Sequence, residues 1–239
     1  VENKKYLNFL AKLGISSAHP GGRPLTEALM KRETIGRNDR VLDVGCGAGD
    51  TSAYLTEHVN CLVTAVDFHP EMIKLASEKA KELNNPFDVI QADAQKLPFA
   101  EGSFDRVLSE SVTAFTEIPV TLAEYYRVLA NKGSLLAIEM TTERELSKPA
   151  VKEIQSVYGI QDLYTENEWV TALHDAGFSE VDVFRGDVFV GTDQMLSEVS
   201  SFKFSEKLDV EAFEVWMDHI RLMQKYEGVL GYRIYKAIK

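Results

Sequence analysis

The stretch Arg40-Val41-Leu42-Asp43-Val44-Gly45-Cys46-Gly47-Ala48-Gly49-Asp50 constrains the fold of this chain more than any other. A short apolar run breaks at a glycine cluster, and Thr51 to His58 then has a helical pattern, so the segment reads as strand, tight turn and helix. Glycines at 45 and 47 permit the sharp turn and let a ligand approach bare backbone, while the amides at the helix start favour negative groups.

The unit recurs along the chain. Cys61 to Val66 is a β-branched-rich strand ending at Asp67, and Pro70 suits the first turn of a helix carrying Met72, Ala76, Ala80 and Leu83 until Asn84-Asn85-Pro86 stops it. Phe87 to Gln91 and Phe104 to Leu108 are strands three and four. A helix through Leu122, Tyr126 and Leu129 precedes a fifth strand, Ser134 to Met140. Thr165 and Glu168 form a capping box for a helix with Trp169, Leu173 and Ala176, closed by Gly177 before a sixth strand, Val181 to Phe184. Val210, Phe213, Met217 and Ile220 mark an amphipathic helix, and Tyr232 to Ile238 reads as the last strand.

Such alternation specifies an α/β fold with helices on both faces of an open sheet, its ligand beyond the carboxyl ends of the strands where strand order reverses. A single domain over residues 1–239 is expected. Three stretches lie outside the minimal sheet, 1–23, 141–164 and 191–209, and are candidates for a lid closing over the strand ends.

The ligand can be narrowed. A dinucleotide turn carries glycine or alanine at its sixth fingerprint position, and here that place is Asp50, with the third glycine one residue earlier at Gly49. No lysine followed by Ser or Thr makes a P-loop. S-Adenosylmethionine has no phosphate and carries a sulfonium, an ammonium and a carboxylate, so an acidic glycine loop entered by Asp43 suits it electrostatically. Asp67 can accept from both ribose hydroxyls, though an Asp there also serves as a simple helix cap. Asp93, after strand three, could hold the exocyclic amine of adenine, with a backbone amide from Ala94, or could merely cap its own turn.

These stretches, together with Leu97-Pro98-Phe99, Ser103-Phe104-Asp105 and Arg127-Val128-Leu129, resemble the class I methyltransferases, especially the small-molecule subgroup of ubiquinone and menaquinone biosynthesis enzymes. The resemblance runs from about Leu25 to Phe184. It implies a Rossmann-like open seven-stranded sheet, mostly parallel with an antiparallel last strand, and S-adenosylmethionine as cofactor. It further implies that Gly45, Cys46, Gly47 and Gly49 line the methionine part, that Asp43 anchors its amino end and that Asp67 takes the ribose. Phe68 and Met72 would pack on adenine, Asp93 and Ala94 would read its edge, and Glu110 and Ser111 would face the sulfonium and the acceptor. Thr113-Ala114 replaces the paired histidines often found after strand four in the subgroup, which argues against a quinone precursor, and Asn131-Lys132-Gly133 replaces Pro-Gly-Gly in a turn. His19-Pro20-Gly21-Gly22 looks like a lid segment of related enzymes.

Methyl transfer from a sulfonium is an in-line displacement on a very good leaving group, so positioning and exclusion of water supply most of the rate. Where the acceptor must lose a proton, His19 is the first candidate base, beside two flexible glycines, with Glu110, Tyr6, Tyr158 and Tyr164 as others. His58, His69, His174 and His219 read as surface or packed residues, and Trp169 and Trp216 as core. Tyr158, Tyr164 and Phe202 permit an apolar chamber, although core packing is the simpler role for each.

A formal charge of −11 opposes a nucleic-acid partner, and the basic residues of 1–40 are scattered rather than clustered. No apolar run approaches a membrane span, no His/Cys cluster has metal-ligand spacing, and two cysteines, Cys46 and Cys61, fit a reducing cytoplasm. A small-molecule acceptor is therefore expected. A nicotinamide-dinucleotide oxidoreductase and a non-catalytic S-adenosylmethionine-binding protein are the alternatives.

Overall fold

The computed structural model describes residues 4–14, 19–186 and 209–239. Its strands are β1 (Arg40–Val44), β2 (Leu62–Asp67), β3 (Asp88–Gln91), β4 (Phe104–Glu110), β5 (Leu129–Thr142), β6 (Glu180–Phe184) and β7 (Leu230–Ile238). They form one seven-stranded sheet in the order β3-β2-β1-β4-β5-β7-β6. The pairs β1–β2, β2–β3, β1–β4 and β4–β5 are parallel, and β7 runs antiparallel to both β5 and β6, as the sequence implied. Strand order reverses between β1 and β4, which puts the glycine turn after β1 and the end of β4 side by side.

Alternate residues of the central strands feed two cores. Leu42, Val44, Val107 and Leu135 pack with Leu122, Tyr125 and Trp169 on one face, and Val41, Val63, Ala65 and Leu108 pack with Leu25, Leu29 and Ala76 on the other. Each fully buried Leu or Val contributes about 1.5–3 kcal/mol relative to exposure. The helices on these faces are α2 (Gly22–Arg32), α3 (Asp50–Tyr54, continued by a π-helical turn Leu55–Val59), α4 (Pro70–Glu82), α5 (Ile118–Val128) and α7 (Glu166–Asp175). Local chemistry sets their starts. Pro70 opens α4 while His69 Nδ1 accepts from the Glu71 amide at 3.2 Å, and Thr165 and Glu168 form the expected capping box.

The junction of α5 and β5 differs from the periodicity. Leu129 opens β5 instead of ending α5: it pairs with Phe104, while Ser134 pairs with Arg106, so residues 130–133 bulge out of the ladder. Burial of Leu129 at the sheet decides this over helix propensity. The stretches 1–23 and 141–164 also hold regular structure that the sequence did not reveal: α1 (Lys5–Leu13), the start of α2, and α6 (Lys148–Tyr158). α8 (Val210–Lys225) begins at Asp209, whose carboxylate accepts from the Ala212 amide at 3.0 Å. The rest of the third stretch, 191–208, and Phe202 with it, lies outside the described residues. Among the described residues no helix is long and apolar enough to cross a membrane.

Candidate active site

The turn after β1 is tied to β2 by its own backbone. The amides of Gly45 and Cys46 both donate to the Val66 carbonyl, at 2.8 and 3.0 Å. Gly45, Gly47 and Gly49 all have positive φ, but their surroundings differ. A Cβ on Gly45 would stand 2.2 Å from Val112 Cγ2 and one on Gly49 2.9 Å from Phe87 Cζ, whereas one on Gly47 would meet nothing within 4 Å. Gly45 and Gly49 are therefore glycine for packing, and Gly47 presents open backbone.

Asp67 closes β2 beside that opening. Its Oδ2 accepts from the Gly47 amide at 3.0 Å and its Oδ1 from the His69 amide at 2.8 Å. Burial raises its carboxyl above the usual range, and the two backbone bonds oppose that shift. Each oxygen keeps a lone pair for a further donor, which fits a vicinal diol. The Ala92 amide donates to the Asp67 carbonyl at 3.0 Å and so brings the end of β3 alongside. There Asp93 Oδ1 accepts from the Gln95 amide at 2.9 Å, so its carboxylate does cap its own turn, and Ala94 is buried behind it.

On the other side of the turn lie two carboxyl groups, Asp43 and Glu110. Asp43 is buried and accepts from Ser52 Oγ at 2.6 Å. Burial, then the charges of Glu110 and Asp67, push its carboxyl up to about 7, and the Ser52 bond acts against them. Glu110, at the end of β4, accepts from Thr26 Oγ1 at 2.6 Å through Oε1 and from Thr51 Oγ1 at 2.7 Å through Oε2. His19 Nε2 lies 3.0 Å from Thr26 Oγ1 and 3.7 Å from Glu110 Oε1. Ser111 follows in a left-handed conformation, its amide donating to the Ile138 carbonyl at 2.7 Å. The Cys46 thiol is buried, which pushes its pKa up and keeps it protonated.

Segments outside the minimal sheet lie over this region. Lys4 stands 4.9 Å above the ring of Phe68, which is exposed, while Met72 is buried one helical turn on. On α1, Tyr6 stacks on Phe115 with ring centroids 6.3 Å apart and meets Tyr158 edge-on at 4.9 Å. The Tyr158 hydroxyl is 2.9 Å from His219 Nδ1. Tyr164 is elsewhere, edge-on to Trp169 at the groove between α5 and α7.

Sequence reasoning missed four of these polar groups. Thr51 and Ser52 follow the glycine turn directly, so their place at a helix start was a usable signal. Thr26 carried none. Glu139 is a lone charge inside the apolar run Leu135 to Met140; it is fully buried and accepts from the Thr113 amide at 3.1 Å, the Ala114 amide at 3.4 Å and Ser109 Oγ at 3.2 Å.

Residues 42–137 match the family model of a methyltransferase domain. Over 235 residues, 98% of this chain and 99% of its relative, the sequence is 31% identical to the uncharacterized methyltransferase YodH of Bacillus subtilis. The chain belongs to the class I S-adenosylmethionine-dependent methyltransferases. This methyltransferase is also 30% identical over 162 residues, 66% of its length and 65% of the relative's, to the ubiquinone/menaquinone biosynthesis C-methyltransferase UbiE of Citrifermentans bemidjiense. Its fold is that of phosphoethanolamine N-methyltransferase 2 of Haemonchus contortus, with a TM-score of 0.78 at 20% identity over 98% of this chain and 56% of the other.

Proposed function

We propose that this methyltransferase transfers a methyl group from S-adenosylmethionine to a small-molecule acceptor, and that the crevice between Gly47, Asp67 and Glu110 is where the cofactor lies. The observation that carries the reading is the Asp67 carboxylate, fixed by the Gly47 and His69 amides next to open backbone at Gly47. That arrangement fits a ribose diol on a nucleoside without phosphates. A diphosphate would have to approach the α3 start, where Asp50 stands, paired with Lys79.

When bound, the cofactor supplies an electrophilic methyl group on a sulfonium that departs as a neutral thioether. The protein's own residues do the rest. Asp67 and Glu110 line the crevice with acidic groups, and an ammonium beside Asp43 favours the ionised form of that buried carboxyl, which suits a ligand carrying an ammonium and a sulfonium. Phe68 and Met72 offer apolar surface for adenine, with the Asp93–Ala94 backbone at its edge. Gly45, Cys46 and Gly49 shape the turn, and Ser111 with Glu110 forms the wall toward the acceptor. The described parts of the stretch 1–23, residues 4–14 and 19–23, act with 141–164 as a lid: Tyr6, Phe115 and Tyr158 draw α1 and α6 over the strand ends, excluding water from an in-line displacement. Glu110 is the group placed to handle an acceptor proton, and His19 stands behind it, 3.7 Å from its Oε1. The net charge of −11 and the likeness to quinone-pathway enzymes support a small acceptor over a nucleic acid. The free thiols of Cys46 and Cys61 suit a reducing cytoplasm.

The test is methyl transfer from labelled S-adenosylmethionine across a panel of small phenols, amines, thiols and activated carbon acids, with tRNA and duplex DNA as controls. Label in a small acceptor supports the reading, and label confined to nucleic acid overturns it.

A further inference from the structure

Thr26 stands between two groups that both lie within hydrogen-bond reach of its hydroxyl. Glu110 Oε1 lies 2.6 Å from Thr26 Oγ1, and His19 Nε2 lies 3.0 Å from the same atom. Thr26 donates that hydrogen to Glu110, so the His19 contact is made by Nε2–H donating to Thr26 Oγ1. The other ring nitrogen, Nδ1, faces the Pro20 carbonyl at 3.2 Å. Both nitrogens thus face protein atoms, and His19 is 3% exposed. The ring is not presented to an acceptor molecule. The second carboxylate oxygen of Glu110 is held from the opposite side by Thr51 at 2.7 Å.

We propose that His19 and Thr26 are positioning residues: they fix the Glu110 carboxylate toward the cofactor sulfonium and do not touch the acceptor. The proposal rests on the reading of Glu110 as the group that faces the sulfonium. Hydrogen bonds to a charged acceptor are the strong ones, and a chain of them polarises along its length, so His19 strengthens the bond that Thr26 makes. A carboxylate held in this way favours the cationic cofactor over its neutral demethylated product, and product leaves more readily than it would from an uncharged wall. The docking of α2, which carries Thr26, completes this wall.

The experiment is calorimetric titration of S-adenosylmethionine and S-adenosylhomocysteine into the full chain and its variants. Thr26→Val, which keeps the shape, is expected to lower the ratio of the two affinities about fivefold, and Thr26→Ser to restore it to within about twofold of the parent. His19→Leu is expected to lower the ratio similarly on its own and to add nothing in the T26V background. Equal weakening of both ligands by Thr26→Val, an unchanged ratio, or full multiplication of the two effects overturns the proposal. Should His19→Leu fail to fold, the Val and Ser variants decide between these outcomes. A parent protein that binds neither ligand overturns the cofactor reading itself, and so is distinguishable from failure of the positioning role.

Discussion

The Gly47 amide donates to the Asp67 carboxylate across 3.0 Å, joining the only one of the three turn glycines whose face is open to the residue that ends β2. The pairing orients Asp67 before any ligand arrives. Asp67→Ala removes the acceptor of two backbone amides as well as the acceptor for a diol. Hydrogen bonds to a charged group contribute about 1.5–3 kcal/mol each, so affinity for S-adenosylmethionine falls at least about tenfold while the sheet persists. Calorimetry with a melting curve as control reads both; unchanged affinity would contradict the assignment of Asp67.

Gly45→Ala and Gly47→Ala separate packing from binding. At Gly45 the new methyl collides with Val112 at 2.2 Å and φ is +68°, so the variant loses stability by at least about 2 kcal/mol. At Gly47 nothing lies within 4 Å and the cost is the backbone term alone, about 1–2 kcal/mol. The added methyl stands in the cofactor's place, however, and lowers its affinity. Urea unfolding and ligand titration of the pair should show opposite rankings. Equal loss of affinity per unit of lost stability would remove Gly47 from the site.

The buried carboxyls make stability depend on pH in a definite direction. Asp43 and Glu139 are each pushed up to about 7 in the folded chain, from ordinary values near 4, chiefly by burial. The folded state therefore holds these protons more tightly than the unfolded one. Their contribution is complete below about pH 4 and is lost as pH rises through 7, on the order of 3–4 kcal/mol for each carboxyl. Asp43→Asn, which can still accept from Ser52, should flatten that part of the profile of unfolding free energy between about pH 4 and 7. An ammonium beside Asp43 favours its ionised form, so cofactor affinity should rise across the same interval in the parent and not in Asp43→Asn. A variant profile parallel to the parent's would refute the role of Asp43.

Glu139→Leu leaves the Thr113 and Ala114 amides and the Ser109 hydroxyl without their acceptor. Ser109 Oγ is also 3.2 Å from both Thr113 Oγ1 and Tyr125 OH, so the disturbance reaches α5. The loss is about 3–5 kcal/mol, with faster amide exchange at residues 111–115; Glu139→Gln, which keeps one acceptor oxygen, loses less. Exchange that spreads evenly over the sheet instead would show that Glu139 does not hold this loop.

The frame of the molecule was legible because the central strands are short apolar runs punctuated by glycine and proline, and because Asp67 falls at a strand end at a fixed place after the turn. The capping box at Thr165 and the Pro70 start were legible for the same local reasons. What escaped depended on contacts between residues far apart in sequence. Thr26 reaches Glu110 across 84 positions and Glu139 reaches Ser109 across 30, and nothing local marks a hydroxyl or a strand carboxylate as a partner. The early end of α5 at Val128 was lost because Leu129 is equally at home in a helix or at a buried strand start. His19 stood out for its glycine neighbours, yet its burial and its contact with Thr26 of α2 had no local signal.

The most direct measurement is titration of the purified chain with S-adenosylmethionine and, separately, with NADH. One molar equivalent of S-adenosylmethionine should bind, NADH should produce no heat, and the Asp67→Ala variant should lose the first signal. Saturable binding of NADH in the same crevice, or S-adenosylmethionine binding indifferent to Asp67, would contradict a phosphate-free nucleoside site at the β1 turn.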